Sequence, residues 1–574
     1  MIETALDGPR PQGQARGCYN VGDVRDPSAT LWERMMLSRK AYLFVALIGL
    51  PTLVGATSVQ AAGSIGFKAP TALQGGTGGE PSIGLDPFGH VLVGGPQGVP
   101  GGQGDYWLSN NDSATWPATP TKLGGATGGG DEDIAFTPND GSQYANQIYI
   151  ADLAATHSTV CTSTDHGATF NAAGPVPDPL HCMGTALGAT TPSSDRQWLT
   201  ADAGGRAYIT DHEFVSALPR AWTTANGGAD QFVTPCGPIV SDPTILQNVP
   251  TDISGGTLVS KPVVDSAGNL YVLFTTTTQS QNLTAFGQGI VSGTFSQAYM
   301  AVSHDHCTSF TDHAIYDGQL KGANTVQFGD IFNDLVIDSG GNLYAVAAGF
   351  IGTTPFAKTA DVFLFKSTDH GVTWSAPYQL TTDIGSHVLP AAAAGPLPGE
   401  LAIGYYRTTN GKTDPNDPTD RWTYTTALTS NLLDANPTFQ FTDMLATPGT
   451  LDNTYHYGDI CTSGTLCGTT VPGTGTDRSL LDFTSAVVDT DGCVLFTFAG
   501  NPKSSVAGNA ALPTLNYVTK QTSGCFSKVS AVTTTPPVPS AGAAVAWGGG
   551  LLMVVGGFLV AMTRRRRRSG ERAG

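Results

Sequence analysis

A hairpin unit recurs along the middle of the chain, and this repetition constrains the fold more than any other feature. In each copy an apolar run is followed by a turn containing Asp and Gly and then by a second apolar run, which predicts two antiparallel strands joined by a tight turn. The clear copies are centred on Asp86, Asp202, Asp265, Asp338 and Asp489. Looser copies lie at 134–150 and 391–405 and bring the number to seven. Such repetition predicts an array of small sheets rather than one large core.

The composition agrees with an array of short strands. The chain of 574 residues has 72 Gly, 37 Pro and only 13% charged residues, which is typical of many turns and few long helices. Four-stranded units spaced about 60 residues apart fit a β-propeller, because radial closure leaves few exposed sheet edges. We therefore predict an all-β fold in which residues 63–528 form a seven-bladed propeller, with six blades as the alternative if one weak repeat is an insertion.

A second motif follows the hairpin in most repeats. Ser163–Phe170 and Ser367–Trp374 have the sequence Ser-x-Asp-x-Gly-x-Thr followed by an aromatic residue, and 109–116 and 303–310 are near matches. Weaker versions lie at 224–228, 434–439 and 519–526. The motif resembles the Asp-box, or bacterial neuraminidase repeat, of sialidase-like propellers.

The chemistry of this motif is that of a turn. A short carboxylate at the third position can accept backbone N–H groups that lack a ladder partner, and the final aromatic ring packs between sheets. The resemblance places these turns away from the ligand-binding face, so we expect a structural role for them. The residues at the third position are Asn111, Asp165, Asp305 and Asp369.

Nearly the whole propeller region also resembles uncharacterised sialidase-like propellers of bacterial cell surfaces. The segments that carry this likeness are 195–202, 460–467 and 477–483. The resemblance implies a fold and a location, and it does not imply a known reaction.

Both ends of the chain predict membrane-related segments. Residues 35–62 have the layout of a signal peptide, and 1–34 fit no part of it, so we interpret them as an extension ahead of the true start. An uncharged run at 541–562 is long enough to cross a bilayer, between a Thr/Pro-rich stalk at 529–540 and a basic tail at 563–574. These features predict a single-pass protein of the cell membrane with the propeller outside the cell.

The net charge and the cysteines indicate which partners and which covalent links the chain can have. The formal net charge is −18, which argues against a nucleic-acid partner. Cys18 precedes the predicted signal peptide, and the eight cysteines that remain predict disulfides in an exported domain. Cys461 and Cys467 close a tight loop and are the most plausible pair. Because no zinc-like Cys or His spacing appears, we expect no structural zinc site.

A propeller commonly binds its ligand where the innermost strands begin, at the mouth of the central channel. The residues that precede the predicted innermost strands are candidates for this site: Glu80, Asp133, Arg196, Trp198, Lys261, Asp334, His387 and Asp482. Their carboxylates could hold Ca²⁺, or the ring could bind a glycan or a peptide. The alternative is a wet channel whose ion pairs hold the blades together. Arg196 with Trp198 is either a binding contact or a lock between blades.

The resemblance implies one enzyme activity to be weighed. Sialidases clamp the substrate carboxylate with three arginines above a Tyr activated by a Glu, yet no Arg occurs between Gly63 and Asp195. An active site would need Arg196, Arg407 and Arg478 to converge beside Tyr405 or Tyr457. Our first hypothesis is therefore a non-catalytic propeller that binds an extracellular glycan or protein. The alternatives are an exo-α-sialidase-type glycoside hydrolase and a structural scaffold.

Overall fold

The computed structural model describes most of the predicted propeller. The described residues are 64–528, with gaps at 98–103, 123–130, 155–156, 171–181, 185–193, 214–217, 226, 228–231, 233, 247–256, 277–294, 296, 319–325, 329–332, 352–359, 445–449, 463–475 and 506–509. They all belong to one compact unit, Ala62–Gly574. The predicted extension (1–34), signal peptide (35–62), stalk (529–540), membrane helix (541–562) and basic tail (563–574) lie outside the described residues.

The predicted single-pass location in the cell membrane needs correction. Within the part of the chain that the structure describes, no helix has both the length and the apolar character needed to cross a bilayer.

The described strands form seven separate antiparallel sheets, and this confirms the all-β propeller and settles the blade number at seven. Strands β1 (Gly66–Phe67) and β2 (Thr71–Ala72) come first. Blade 1 is β3 (Ser82–Leu85), β4 (Val91–Gly95), β5 (Asp105–Ser109) and β6 (Thr121–Lys122). Blade 2 is β7 (Glu132–Phe136), β8 (Ile148–Ala154), β9 (His157–Ser163) and β10 (Cys182–Gly184). Blade 3 is β11 (Ser194–Ala201), β12 (Ala207–Glu213), β13 (Leu218–Thr224) and β14 (Thr234–Pro235).

The remaining blades follow in chain order. Blade 4 is β15 (Thr257–Val259), β16 (Val263–Val264), β17 (Leu270–Thr276), β18 (Gln297–Ser303) and β19 (Thr311–Asp317). Blade 5 is β20 (Val326–Phe328), β21 (Asp334–Ile337), β22 (Leu343–Ile351), β23 (Asp361–Ser367) and β24 (Tyr378–Gln379). Blade 6 is β25 (His387–Ala394), β26 (Leu401–Thr408), β27 (Arg421–Thr429), β28 (Gln440–Met444) and β29 (His456–Tyr457), with a short 3-10 helix (Leu451–Asn453) before β29. Blade 7 contains β30 (Ser485–Val488), β31 (Val494–Gly500) and β32 (Leu515–Ser523).

The ring closes through blade 7, which combines both ends of the propeller. Strands β1 and β2 pair with β32, so that Gly66 lies opposite Ser523 and Thr71 lies opposite Val518. The outer strand of the last blade is thus supplied by the first described residues. This pairing covers the edge that β32 would otherwise expose.

Each clear hairpin is held by the Asp of its turn. In blade 4, Asp265 Oδ1 accepts the backbone N–H groups of Ala267 and Asn269, both at 2.9 Å. Gly268 has φ +83°, a conformation that favours glycine. The same pair of bonds recurs at Asp86, Asp202, Asp338 and Asp489. The repeated Asp and Gly are therefore explained by the turn.

The predicted Asp-box residues also lie in turns, between the last two strands of their blades. Asp369 Oδ1 accepts the Thr373 N–H at 2.9 Å, and Ser367 Oγ accepts the Gly371 N–H at 2.9 Å. Asp165 and Asp305 make the same contacts, and Asn111 accepts the Thr115 N–H at 3.0 Å. These side chains are occupied by backbone groups of their own turns.

We expect Asp369→Ala to lower the free energy of unfolding by about 1 kcal/mol, because the N–H of Thr373 loses its acceptor. Asp369→Asn should retain most of the stability, since an amide oxygen can accept the same bond. Chemical denaturation of both variants measures the difference. Equal losses for the two variants would contradict this role.

Hydrophobic side chains between neighbouring sheets form the core. Between blades 6 and 7, the rings of Tyr424 and Phe498 stack with centroids 4.1 Å apart, and Tyr455 meets Phe498 edge-on at 4.8 Å. Aromatic pairs in these geometries add to the stabilisation from burial alone. The blades are thus joined by packing of whole sheet faces.

Disulfides reinforce the ring and confirm the prediction made from the even set of cysteines. Cys236–Cys307 joins the end of blade 3 to a turn of blade 4, and Cys493–Cys525 lies within blade 7. Cys161 and Cys461 are also disulfide-bonded. Cys467, the predicted partner of Cys461, lies outside the described residues.

Candidate functional site

The innermost strands of all seven blades surround a central channel of about 390 Å³. Its wall is mainly aliphatic, as at Ile83, Ile134, Leu335 and Val487. At the end where these strands begin, the channel narrows to a separate cavity of only about 30 Å³. That volume holds about one water molecule.

Four of the predicted ligand-binding residues line this small cavity, namely Asp133, Trp198, Lys261 and Asp334. The Lys261 ammonium lies 2.7 Å from Asp133 Oδ1 and donates to the Ile134 carbonyl at 2.9 Å. The other oxygen of Asp133 accepts the Leu199 N–H of the next blade at 2.7 Å. The charges therefore already have partners within the protein.

Asp334 has an equivalent role between blades 5 and 6. Its Oδ2 accepts the Ala392 N–H at 2.7 Å, and its Oδ1 accepts the Leu335 N–H at 2.9 Å. Burial raises the pKa of Asp334 to about 6, although these two hydrogen bonds act in the opposite direction. Asp133 and Asp334 thus each fasten one blade to the backbone of the next.

Arg196 and Trp198 form a plug across the channel mouth. The Arg196 guanidinium carbon lies 3.7 Å from the ring centroid of Trp198 and 4.0 Å from that of Phe483. Trp198 belongs to blade 3 and Phe483 precedes blade 7, so this contact joins two blades that are not neighbours in the ring. Arg196 as a whole residue is 2% exposed, which leaves little of it for a ligand.

Glu80 and Asp482, also predicted at the mouth, belong to a buried charge cluster behind the plug. Glu80 Oε1 accepts the Asp482 N–H at 3.1 Å and lies 3.8 Å from the Arg478 guanidinium. Arg478 also forms an ion pair with Asp482. Burial, followed by the charges of Asp131 and Asp482, raises the pKa of Glu80 well above its usual value, while Arg196 and Arg478 lower it. This cluster links blade 7 to blade 1.

A second acidic cluster lies between blades 1 and 2. The sequence pattern did not distinguish this cluster from the predicted channel mouth. Its members are Asp105, Glu132 and Asp152, each with 0% exposure. Burial raises the pKa of Asp152 to about 7, and burial with the charges of Asp152 and Asp105 raises that of Glu132. The carboxylates of this cluster and of the predicted mouth provide the oxygen atoms that Ca²⁺ prefers as ligands. Binding of Ca²⁺ at either place stays a prediction.

His387, also predicted at the mouth, lines neither the channel nor the small cavity. Strand β25 bulges between Val388 and Ala391, and the residue of this strand that reaches the small cavity is Pro390. His387 Nδ1 lies 3.2 Å from Asp361 Oδ1, and its Nε2 lies 3.1 Å from Asp383 Oδ1. These two aspartates stand between blades 5 and 6.

A larger concave site lies at the same junction, and we call it the blade 5–6 groove. Its volume is about 550 Å³, within the range of small-molecule sites. The groove is lined by Tyr378, Gln379, Leu380, Thr381, Thr382, Asp383, Tyr405, Arg407, Thr425, Phe439, Phe441, Thr442 and Asp443. Of these residues, the sequence had singled out only Arg407 and Tyr405, as members of the sialidase-type site that was weighed, and the others were not predicted.

Three aromatic side chains form the apolar part of the groove. Tyr378 stacks on Phe439 with centroids 5.8 Å apart, and Phe439 lies 6.4 Å from Phe441. Tyr378 is 41% exposed and Phe441 is 53% exposed. Exposed rings gathered beside a cavity are typical of a surface that contacts a partner.

Strand geometry places the polar part of the groove on blade 6. Tyr405 lies opposite Thr425, and Thr425 lies opposite Asp443, so these three residues form one row across three strands. Arg407 is two residues after Tyr405 and therefore points to the same face. Its guanidinium lies 2.6 Å from Asp443 Oδ2 and 3.4 Å from Asp383 Oδ2.

The electrostatics of the groove keep Arg407 charged. Burial alone would lower its pKa, but hydrogen bonding to Asp443 and the charges of Asp443 and Asp383 raise it above its usual value. Burial and the charge of Asp383 raise the pKa of the Tyr405 phenol, so this group stays protonated. The groove thus offers a fixed cation, two half-exposed carboxylates and neutral hydroxyl groups.

The arginines that a sialidase would need lie in different places. Arg407 is in the blade 5–6 groove beside Tyr405, whereas Arg196 and Arg478 are both close to Glu80. Tyr457 is elsewhere in blade 6, with Arg421 5.9 Å from its ring. Arg196, Arg407 and Arg478 therefore do not form one clamp for a carboxylate.

No family model and no curated protein matches the sequence. Similar solved structures include a protein of unknown function from Dyadobacter fermentans, with 11% identity over 80% of this chain and 99% of that chain, and a TM-score of 0.39. An α-L-arabinofuranosidase from Fusarium graminearum has 11% identity over 79% and 97% of the two chains, with a TM-score of 0.39. The NanB sialidase of Streptococcus pneumoniae has 11% identity over 80% and 71%, with a TM-score of 0.37. Likenesses this low assign no function.

Proposed function

We propose that this propeller is a non-catalytic binding module that holds a carbohydrate in the blade 5–6 groove. The observation that carries the proposal is the combination of exposed stacked rings with a charged, hydrogen-bonding wall in one cavity of about 550 Å³. Sugar rings present apolar C–H faces and polar hydroxyl edges. Tyr378 and Phe441 suit the faces, and Asp383, Arg407 and Asp443 suit the hydroxyl groups.

The shape of the site favours a glycan over a folded protein partner. A stable protein interface buries about 800 Å² on each partner and is usually broad. The groove instead is a concave pocket of the size of one or two sugar rings, and its charged groups lie within the pocket. The channel mouth supports ligand binding less well, because its cavity is only about 30 Å³ and its charges are already paired.

We expect Tyr378→Ala and Phe441→Ala each to weaken glycan binding by roughly tenfold, because each removes a stacking surface. Both rings are exposed, at 41% and 53%, so the variants should fold. An array of neutral, acidic and sialylated oligosaccharides identifies a binder, and calorimetry with that oligosaccharide measures the affinities. Phe88→Ala is the matched control, since Phe88 is a 61% exposed ring far outside the groove lining.

Two results would overturn the proposal. Equal affinity in the groove variants and the control would move the site elsewhere, and failure to bind any oligosaccharide would favour the scaffold alternative. Turnover of a fluorogenic sialoside by the full chain would reject the non-catalytic role. Loss of that turnover in Arg407→Ala would then support the glycoside hydrolase alternative.

A further inference from the structure

Three side chains from two blades converge on one point, and none of them lines the channel or the groove. Asp86 lies in the β3–β4 turn of blade 1, and His90 immediately precedes β4. His166 comes from the predicted Asp-box turn of blade 2, where its φ of 60° turns it towards blade 1. Asp86 Oδ2 lies 2.8 Å from His90 Nδ1 and 2.6 Å from His166 Nδ1.

The same turn in the other blades shows that this convergence is specific to blade 1. In blades 3, 4 and 5 the residue six positions after the turn Asp is a tyrosine, and its hydroxyl lies near Oδ2 of that Asp: the residues are Tyr208, Tyr271 and Tyr344. In blade 7 the ammonium of Lys520 lies 2.6 Å from Asp489 Oδ2. In blade 1 the position of the tyrosine is taken by Leu92, which leaves Asp86 Oδ2 to the two imidazoles.

We propose that Asp86, His90 and His166 bind one divalent transition metal ion of the zinc class. Their three donor atoms lie within 4.8 Å of one another, and no other trio of His, Cys, Asp or Glu among the described residues meets this criterion. Bond lengths of about 2.0–2.2 Å place two ligand atoms of a tetrahedral zinc site about 3.3 Å apart. The two imidazoles, with 23% and 39% of their side chains exposed, have room to open by that small amount.

The carboxylate is already oriented for this role. Asp86 Oδ1 accepts the N–H groups of Phe88 at 2.9 Å and His90 at 3.1 Å, which fixes the carboxylate and leaves Oδ2 directed at the two imidazoles. The His90 and His166 rings are stacked, with centroids 4.6 Å apart and planes inclined by 19°, so both Nδ1 atoms face the same oxygen. Two imidazoles and one carboxylate are ligands that Zn²⁺ accepts, with water in the fourth position.

A metal ion bound by Asp86, His90 and His166 would also cross-link blade 1 to blade 2. It would replace the two hydrogen bonds to Asp86 Oδ2, with each neutral imidazole binding through the Nδ1 lone pair and carrying its proton on Nε2. Binding to the folded chain alone raises stability in proportion to the logarithm of the metal concentration. This role is independent of carbohydrate binding in the blade 5–6 groove.

The test is titration of Zn²⁺ into the full chain, produced without a histidine tag and treated with a chelator. We expect one Zn²⁺ per chain by calorimetry and a higher melting temperature as Zn²⁺ is added. His90→Gln and His166→Gln should each weaken this binding by at least about tenfold. Replacing Zn²⁺ with Co²⁺ should give the visible absorption of a four-coordinate site, and both variants should lose it.

The matched control is His370→Gln. His370 occupies the same position of the predicted Asp-box turn in blade 5 and has a similar φ of 59°, but no Asp–His pair faces it. This variant should bind Zn²⁺ like the unaltered chain. Unchanged binding in His90→Gln and His166→Gln, or no saturable Zn²⁺ binding by the full chain, would overturn the proposal and leave Asp86 Oδ2 as a hydrogen-bond partner of the two imidazoles. Circular dichroism checks that every variant is folded.

Discussion

Trp198→Ala should lower the free energy of unfolding by about 3–5 kcal/mol, the range for truncating a large buried aromatic residue. Trp198 is 6% exposed, its Nε1 donates to the Val259 carbonyl at 3.0 Å, and its ring lies 5.0 Å from that of Phe483. The substitution also removes one of the two rings that flank the Arg196 guanidinium. A buried cation then loses part of the environment that offsets its desolvation.

Two further variants separate the contribution of the contact between Trp198 and Arg196 from the effect of removing a large side chain. Trp198→Phe retains a ring against Arg196 and should lose much less stability, as chemical denaturation of both variants will show. A double-mutant cycle with Phe483→Ala tests the contact across the channel, and we expect a coupling of about 0.5–1.5 kcal/mol. Additive losses would mean that blades 3 and 7 are not coupled through the plug.

The buried carboxylates between blades 1 and 2 should make stability fall as the pH rises. The pKa of Asp152 is about 7 in the folded chain, against about 3.9 for an unfolded aspartate. The folded state therefore binds more protons than the unfolded state between these values. Stability from this group is complete below about pH 4 and is lost progressively up to about pH 7. Glu132, whose pKa is raised in the same direction, adds to the trend.

Asp152→Asn should remove this dependence because the amide is neutral at every pH. As the pH rises from 4 to 7, the free energy of unfolding of the variant should increase relative to that of the unaltered chain by a few kcal/mol. This is on the order of three pKa units at 1.36 kcal/mol for each unit. Denaturation midpoints measured across that range give the comparison. Asp434→Asn, at an exposed turn, is the control and should follow the unaltered chain. Parallel pH profiles for Asp152→Asn and the unaltered chain would contradict the account.

The fold could be predicted because its determinants are local. The Asp and Gly of each hairpin turn satisfy hydrogen bonds and φ values within five residues, so they are visible as a repeat. Strands β1 and β2 show the limit of this reasoning. They have two residues each and pair with a strand more than 400 residues later, and no local pattern marks them.

The sites were harder to predict because they depend on distant residues. The starts of the innermost strands could be named from the sequence, but whether Lys261 faces solvent or Asp133, 128 residues away, follows only from the folded chain. The groove combines rings from β24 and β28, and exposed aromatics in separate strands have no sequence signature. Asp86 and His90 are close in sequence, but His166 is 80 residues from Asp86, so spacing rules for zinc ligands did not detect them.

The closure of the ring through blade 7 has a consequence for biosynthesis. Ser523 Oγ donates to the carbonyl of Ser64, and 459 residues separate the two. While the ribosome is still making the chain, β1 and β2 have no strand to pair with, and blade 1 has no neighbour on its open side. The propeller can therefore be completed only after translation has passed residue 523. Until then the nascent chain carries unpaired strand edges, which is the period when it is most exposed to aggregation.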